Sequence, residues 1–261
     1  MLENQSVKEI QKNIRSRQIS IREVVEYYLD KIEKLNPDLN AIVLQKDREL
    51  LIEEAVEKDK INDNERPLNG LPIAIKDLTD VVGFKTTYGF PGSKNNQPSK
   101  NSLLVNRIID KGAIIIGKTN TAELGVGGHT TNRLFGPTSN VYELSKSAAG
   151  SSGGASSAVA AGLLPFADGT DQMGSCRGPA AYANIYGFRP TPGLISADRT
   201  GQKLDLPILT TPGCFARTPN DMSILLDAIV GSDSLDKFSF DLNHSFQNQN
   251  LSEKDFSSFK I

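Results

Sequence analysis

The stretch Leu71-Pro72-Ile73-Ala74-Ile75-Lys76-Asp77 is a short apolar run that ends in a pair of opposite charges. A run this brief and this apolar reads as a buried strand. Downstream, Val105 to Asp110 reads as a helix and Ala113-Ile114-Ile115-Ile116 as a second buried strand. Ser152 to Ala161, rich in Ala, Ser and Gly, reads as a closely packed helix, and Leu163 to Ala167 as a third strand. Thr218 and Pro219 give a cap and a first-turn proline, after which Met222, Leu225, Leu226, Ile229 and Val230 line a helix ending at Gly231. Upstream, Ser20 and Glu23 have the spacing of a capping box. Ile21, Val24, Val25, Tyr28, Leu29, Ile32 and Leu35 then form one apolar stripe, closed at Asn36-Pro37. Ala41 to Leu44 is a strand candidate, Asp47 to Lys60 a helix, and Asn62 to Pro67 a polar loop. Strands alternating with helices predict an α/β fold, and no internal repeat is visible.

Composition narrows the function classes. The 261 residues carry 29 Lys and Arg against 31 Asp and Glu, a net charge of −2, with 23% charged and 38% hydrophobic residues. Such a chain is too apolar for disorder and too near neutrality to suggest nucleic acid or an anionic membrane as partner. Two cysteines, Cys176 and Cys214, make a disulfide framework improbable, and two histidines, His129 and His244, form no Cys/His cluster for zinc. The start, Met1-Leu2-Glu3-Asn4, shows no signal peptide, and the most apolar window, Ala158 to Ala167, is too short to span a bilayer. The expectation is a cytoplasmic protein with no metal, no cofactor, no membrane and no nucleic-acid partner.

Three segments could carry chemistry. Lys76 stands directly after a buried strand, where desolvation would lower its pKa and allow it to act as a base. Gly150-Ser151-Ser152-Gly153-Gly154 lacks the Gly-Lys-Ser/Thr ending of a P-loop. It matches a Gly-x-Ser-x-Gly elbow around Ser152, but polar residues 139–146 precede it where an apolar strand is needed, and the only downstream histidine is His244. Gly169-Thr170-Asp171-Gln172-Met173-Gly174-Ser175-Cys176-Arg177-Gly178-Pro179-Ala180-Ala181 follows a strand and precedes a helix. Backbone N–H groups of such a turn can converge on an oxyanion beside a serine.

The conjunction of these segments, followed by Gly187-Phe188-Arg189-Pro190-Thr191-Pro192-Gly193-Leu194-Ile195-Ser196, resembles the amidase signature family. The resemblance also covers Gly70 to Asp77, Gly117-Lys118-Thr119-Asn120-Thr121-Ala122-Glu123-Leu124, Phe135-Gly136-Pro137 and Ala216-Arg217-Thr218, and runs from about residue 5 to residue 231. It implies a Ser–Ser–Lys triad in which the bridging serine follows a cis peptide. Carried over, the nucleophile falls on Ser175, the bridge on Ser151 and the base on Lys76; spacings of 24 and 75 residues fit the family's pattern. The backbone N–H groups of Gln172, Met173, Gly174 and Ser175 would form the oxyanion hole, with Ser152, Thr170, Asp171 and Arg177 in support. A serine hydroxyl needs a base to attack well, and a neutral lysine relaying through a second serine supplies one without histidine.

The departures from the family pattern are specific. Met173-Gly174 stands where Gly-Gly is usual before the nucleophile, Ala149 where Gly is usual, and Asn140-Val141 where Asn-Pro is common. Met173 is expected to strain the turn or displace an oxyanion donor. The resemblance implies a mixed twisted β-sheet covered by helices, incomplete at the C-terminus. Residues 1–231 would form the N-terminal portion of the amidase signature domain, and residues 232–261 a polar, mobile connector leading to a strand at Phe259-Lys260-Ile261. The implied activity is hydrolysis of a small carboxylic amide to acid and ammonia or amine through a seryl acyl-enzyme, with a homodimer as one option. The alternatives are the amidase subunit of a tRNA-dependent amidotransferase and an inactive fragment. The subunit's usual Ser-Ser-Leu-Asp-Gln-type run is replaced here by Leu204-Asp205-Leu206-Pro207-Ile208, which favours the stand-alone enzyme.

Overall fold

The structure, a computed structural model, describes residues 2–3, 5–61, 63, 65–198 and 209–247. Helices α1 (Val7–Arg15) and α2 (Ile21–Leu39) each open on a complete capping box, Ser6 with Glu9 and Ser20 with Glu23. The predicted stripe of α2 is buried from Ile21 to Ile32, with Leu35 packed at its edge. The helix does not close at Asn36-Pro37 as expected. It carries Pro37 in its last turn and ends at Asn40 in the left-handed region (φ 50°). Asn36 compensates for the proline: its Oδ1 accepts the N–H groups of Ala41 (3.0 Å) and Ile42 (2.9 Å), and its Nδ2 donates to Ile42 O (2.8 Å). This ties the end of α2 to β1 (Ile42–Gln45).

Helix α3 (Arg48–Lys60), capped by Asp47, leads towards β2 (Pro72–Lys76). Helix α4 (Leu103–Asp110) crosses over to β3 (Ile114–Thr119), which pairs parallel with β2 and antiparallel with β1. The order β1-β3-β2 is a mixed sheet, and every residue of β2 and β3 is buried. Lys76 is therefore the last residue of the strand rather than the first beyond it. Helix α5 (Gly153–Ala160) precedes β4 (Phe166–Asp171), and helix α6 (Arg177–Ala183) precedes β5 (Tyr186–Phe188), β6 (Thr211–Ala216) and α7 (Pro219–Ile229). A second, antiparallel sheet has the order β4-β6-β5, with Phe166 opposite Ala216 and Asp171 opposite Thr211.

Two strand readings change. The third strand begins at Phe166, not Leu163, and runs through Gly169-Thr170-Asp171, which the sequence presents as turn. Leu163 and Leu164 are buried in the connection from α5. Strands β5 and β6, absent from the sequence reading, are short or broken by Pro212 and Gly213. The described part of the C-terminal polar stretch, residues 232–247, is hydrogen-bonded to the body: Phe246 N–H donates to Asp227 Oδ1 (2.7 Å) and Phe240 N–H to Gly193 O (3.3 Å). Residues 204–208 and 259–261 lie outside the described residues. No helix among the described residues is long and apolar enough to cross a membrane.

Helix α5 sits under the site because its residues are small. A Cβ on Gly154 would fall 2.3 Å from Asn120 N and 2.6 Å from Ala41 O, both backbone atoms. Gly154→Ala must push α5 off β3, an overpacking that costs about 3 kcal/mol. Chemical denaturation should show this as a lowered midpoint, whereas an unchanged midpoint would mean that α5 has room to shift.

Candidate active site

Strand β2 delivers Lys76 into the interior, where its side chain is fully buried. Its Nζ touches three hydroxyls: Ser152 Oγ at 2.6 Å, Ser151 Oγ at 2.8 Å and Thr170 Oγ1 at 2.9 Å. The serines come from the start of α5 and the threonine from β4, so three elements converge on one nitrogen. No carboxylate lies within ion-pair distance of Nζ among the described residues. Burial lowers the Lys76 pKa to about 8, against the upward pull of Cys176, Asp168 and Asp171. Ser152 Oγ approaches Thr170 O (3.4 Å), so its own proton has an acceptor and its lone pairs face Lys76. The Gly150–Ser151 peptide is cis, as the resemblance implies for the bridging serine.

The turn from β4 to α6 is organised by one carboxylate. Asp171 accepts the N–H groups of Gly174 (2.8 Å), Cys176 (3.1 Å) and Arg177 (3.3 Å), and both Nε and Nη2 of Arg177 at 3.0 Å. Arg189 Nε adds a third positive contact at 3.3 Å. Burial pushes the Asp171 carboxyl up, but these donors outweigh it and hold the group at about 2. Ser175 stands half-buried at the end of this turn, its carbonyl accepting Ser152 N–H (3.3 Å). Its hydroxyl makes no hydrogen bond to another described residue, so Lys76, Ser151, Ser152 and Thr170 are brought into contact while Ser175 stands beside them unbonded.

The four backbone N–H groups expected to form the oxyanion hole differ in their contacts. Gly174 N–H is committed to Asp171 Oδ1, whereas the N–H groups of Gln172, Met173 and Ser175 donate to no described residue. Met173 also differs from expectation. Positive φ in this turn falls on Gly174 (φ +107°), while Met173 is outside the left-handed region and 89% exposed. The strain predicted for Met173 is absent because the next residue takes the unusual backbone conformation. Ala149 carries strain instead: it sits at φ +58°, a conformation costing a non-glycine residue about 1 kcal/mol or more. Arg177 pairs with Asp171 at 3.0 Å.

Two contacts go beyond the sequence reading. Thr170 bonds Lys76 directly rather than merely holding the loop. Asp168, which no motif singles out, accepts the backbone N–H of Lys76 at Oδ1 (2.7 Å). The alternation Asp168-x-Thr170 on β4 is the available signal, since both side chains then share one face. A neighbouring buried cluster holds Lys118, whose Nζ donates to Thr79 O (2.6 Å) and Thr86 Oγ1 (3.1 Å) and lies 3.8 Å from Asp77. No group of three or more His, Cys, Asp or Glu suited to a metal occurs among the described residues.

Fold and site together define an α/β protein with a serine-rich centre served by a buried lysine. The family model described as Amidase matches residues 23–261. An acylamidase of Rhodococcus erythropolis is 38% identical over 239 residues, covering 90% of this chain and 50% of the relative. A glutamyl-tRNA(Gln) amidotransferase subunit of Thermus thermophilus is also 38% identical over 239 residues, covering 92% and 49%. Among solved structures, a bacterial aryl acylamidase of the amidase signature family superposes with a TM-score of 0.86 at 32% identity, covering 93% of this chain and 51% of that one. The peptide amidase of Stenotrophomonas maltophilia gives 0.83 at 29%, covering 94% and 52%. The chain belongs to the amidase signature family, and it spans about half the length of the relatives it matches.

Because Met173 needs no glycine-only conformation, Met173→Gly should leave the rate of Ser175 labelling by a serine-directed phosphonate within about twofold of the parent, as for an unconstrained surface change. A large gain would show that the side chain obstructs the turn.

Proposed function

We propose that this chain carries the nucleophile and base of an amidase that hydrolyses a small carboxylic amide to acid and ammonia or amine. The observation that supports this most is the fully buried Lys76 amine ringed by three hydroxyls with no carboxylate in contact. Such an amine is poised to be neutral near pH 8. With Ser152 and Thr170 accepting its two N–H bonds, its lone pair is left for the proton of Ser151. Ser151 then takes the proton of Ser175, and Ser175 Oγ attacks the amide carbon. The oxyanion formed is met by the N–H groups of Gln172, Met173 and Ser175. The proton returns along the same path to the leaving nitrogen as the C–N bond breaks, which leaves an acyl-Ser175. Water, deprotonated by the same relay, releases the acid and restores the serine.

A second reading, the amidase subunit of a tRNA-dependent amidotransferase, rests on the equal identity to the Thermus thermophilus relative. In that reading glutamine is the amide and the ammonia passes to a partner-bound acceptor. Turnover of simple aryl or peptide amides without partner subunits favours the first reading. Glutamine-dependent amidation only in their presence favours the second. In either case the protein is read as cytoplasmic, and activity of these 261 residues by themselves is part of the proposal.

Phosphonate labelling mapped by mass spectrometry should place the adduct on Ser175; an adduct on Ser152 would instead support the elbow reading. Ser175→Ala should abolish labelling. Lys76→Ala should slow it by several orders of magnitude, and Lys76→Arg should not restore it, because a guanidinium keeps its proton. Since the neutral amine is the reactive form, the labelling rate should rise with pH to a plateau above about 8 and fall about tenfold per pH unit below it. A flat profile, or near-full labelling in Lys76→Ala, would remove Lys76 from the role of base.

A further inference from the structure

Asp168 is 1% exposed, and its two carboxylate oxygens have unequal surroundings. Oδ1 accepts the backbone N–H of Lys76 (2.7 Å), standing where a neighbouring strand's carbonyl would otherwise sit, at the seam where β2 meets β4. Oδ2 has no hydrogen-bond partner among the described residues. An ionised oxygen buried without a donor is costly, so a carboxylate persists there only if a nearby positive charge or a proton stabilises it.

The charges facing the pair identify that partner. From β2 comes Lys76, and Asp77 and Asp80 follow just beyond the strand, where both act on Lys118. Strand β3 supplies Lys118, and β4 supplies Asp168 and Asp171. Cys176 faces it from the N-terminal end of α6 and Cys214 from β6. Asp171 is neutralised by Arg177 and Arg189. Lys118 lowers the Asp168 pKa more strongly than the Lys76 charge does, but it also has Asp77 at 3.8 Å and two hydrogen-bond acceptors of its own. Burial pushes both thiols up, so they carry no charge near neutrality. Asp168 thus faces two buried lysines, and Lys76 is the one that has no ionic contact of its own among the described residues. Thr170, which bonds Lys76 Nζ, lies two residues along β4 and so on the face that Asp168 shares.

We propose that Asp168 is a positioning residue that fixes the Lys76 backbone through Oδ1 and, through its unpartnered buried charge, sets the pH at which the lysine becomes a free base. The inference rests on the reading of Lys76 as the base. An ionised Asp168 favours the protonated amine and so counteracts part of the desolvation; a protonated Asp168 withdraws that support. The two groups therefore titrate as a coupled pair, the carboxyl near 6 and the amine near 8. Without the acid, Lys76 would lose its proton at lower pH.

The test is NMR titration of the 261-residue protein with 13C,15N-labelled lysine, the Lys76 13Cε resonance being assigned by its loss in Lys76→Met. The unaltered protein should show a main step near 8 and a smaller inflection near 6, where Asp168 titrates. Asp168→Asn keeps the shape and the acceptor for the Lys76 N–H while removing the charge. It should move the main step down by one pH unit or more and abolish the inflection. The acid limb of the phosphonate-labelling profile should move down with it. A single-step titration in the unaltered protein overturns the proposal even if Asp168→Asn does not fold. An unmoved midpoint in folded Asp168→Asn does so as well. If the resonance shifts as expected while the labelling profile stays fixed, the coupling stands and the assignment of Lys76 as base fails instead.

Discussion

Taking a lysine amine out of water and leaving it charged costs several kcal/mol unless a counter-charge is in contact. At Lys76 the contacts are hydroxyls from Ser151, Ser152 and Thr170, each able to donate or accept. Such a shell solvates both protonation states and favours neither as strongly as a carboxylate would favour the cation. The rest of the site follows from that compromise. Helix α5 must come close enough to present two serines, which its run of Gly, Ala and Ser permits and which the approach of Gly154 to the Asn120 backbone enforces. Strand β4 must lie against β2 to bring Thr170 and Asp168, and it does so without a backbone ladder between the two, the Asp168 carboxylate taking the N–H that a ladder would have paired.

The second constraint lies on the opposite side of the serines. A turn that leaves several N–H groups free needs some other interaction to hold it, since those groups are the ones that would normally close it. Asp171 supplies that interaction. By gathering the N–H groups of Gly174, Cys176 and Arg177 it fixes the turn from inside and leaves those of Gln172, Met173 and Ser175 directed elsewhere. The Arg177 guanidinium and the N–H groups of the turn keep the carboxylate ionised far below neutrality, so the support does not titrate along with Lys76. Lys76 and the turn thus respond to pH in separate ranges.

How much of this is legible in the sequence depends on where the signals are local. The α2 stripe and its capping box depend on residues three and four apart, and the buried runs of β2 and β3 on continuous apolar character, so all are visible. The end of α2 is harder to place because Pro37 signals a break, whereas the compensation by the Asn36 side chain involves the following strand. Strand β4 is obscured because Asp168-Gly169-Thr170-Asp171 carries polar residues where a strand usually carries apolar ones for packing. Lys76, Ser151 and Ser175 are singled out by ordered motifs, and the structure brings the first two into contact; the same motifs overstate the departure at Met173. Motif comparison shows that a glycine is missing without showing which of the two positions has positive φ.

Asp168 shows why part of the site stays hidden until the fold is known. In the sequence it is one acid among 31 acidic residues, set between Ala167 and Gly169 with no spacing that links it to Lys76 92 positions away. Its importance arises only when β4 is placed beside β2, because burial then makes an ordinary carboxyl respond to the amine that shares its surroundings. A site built on hydroxyl contacts leaves the proton affinity of the amine open to such distant charges. A direct carboxylate contact would have raised that affinity far beyond what Asp168 could adjust. Hydroxyl solvation of Lys76 and control by a buried acid behind it are therefore two consequences of the same arrangement: in the proposed mechanism the first frees the lone pair for Ser151, and the second decides at what pH it is available.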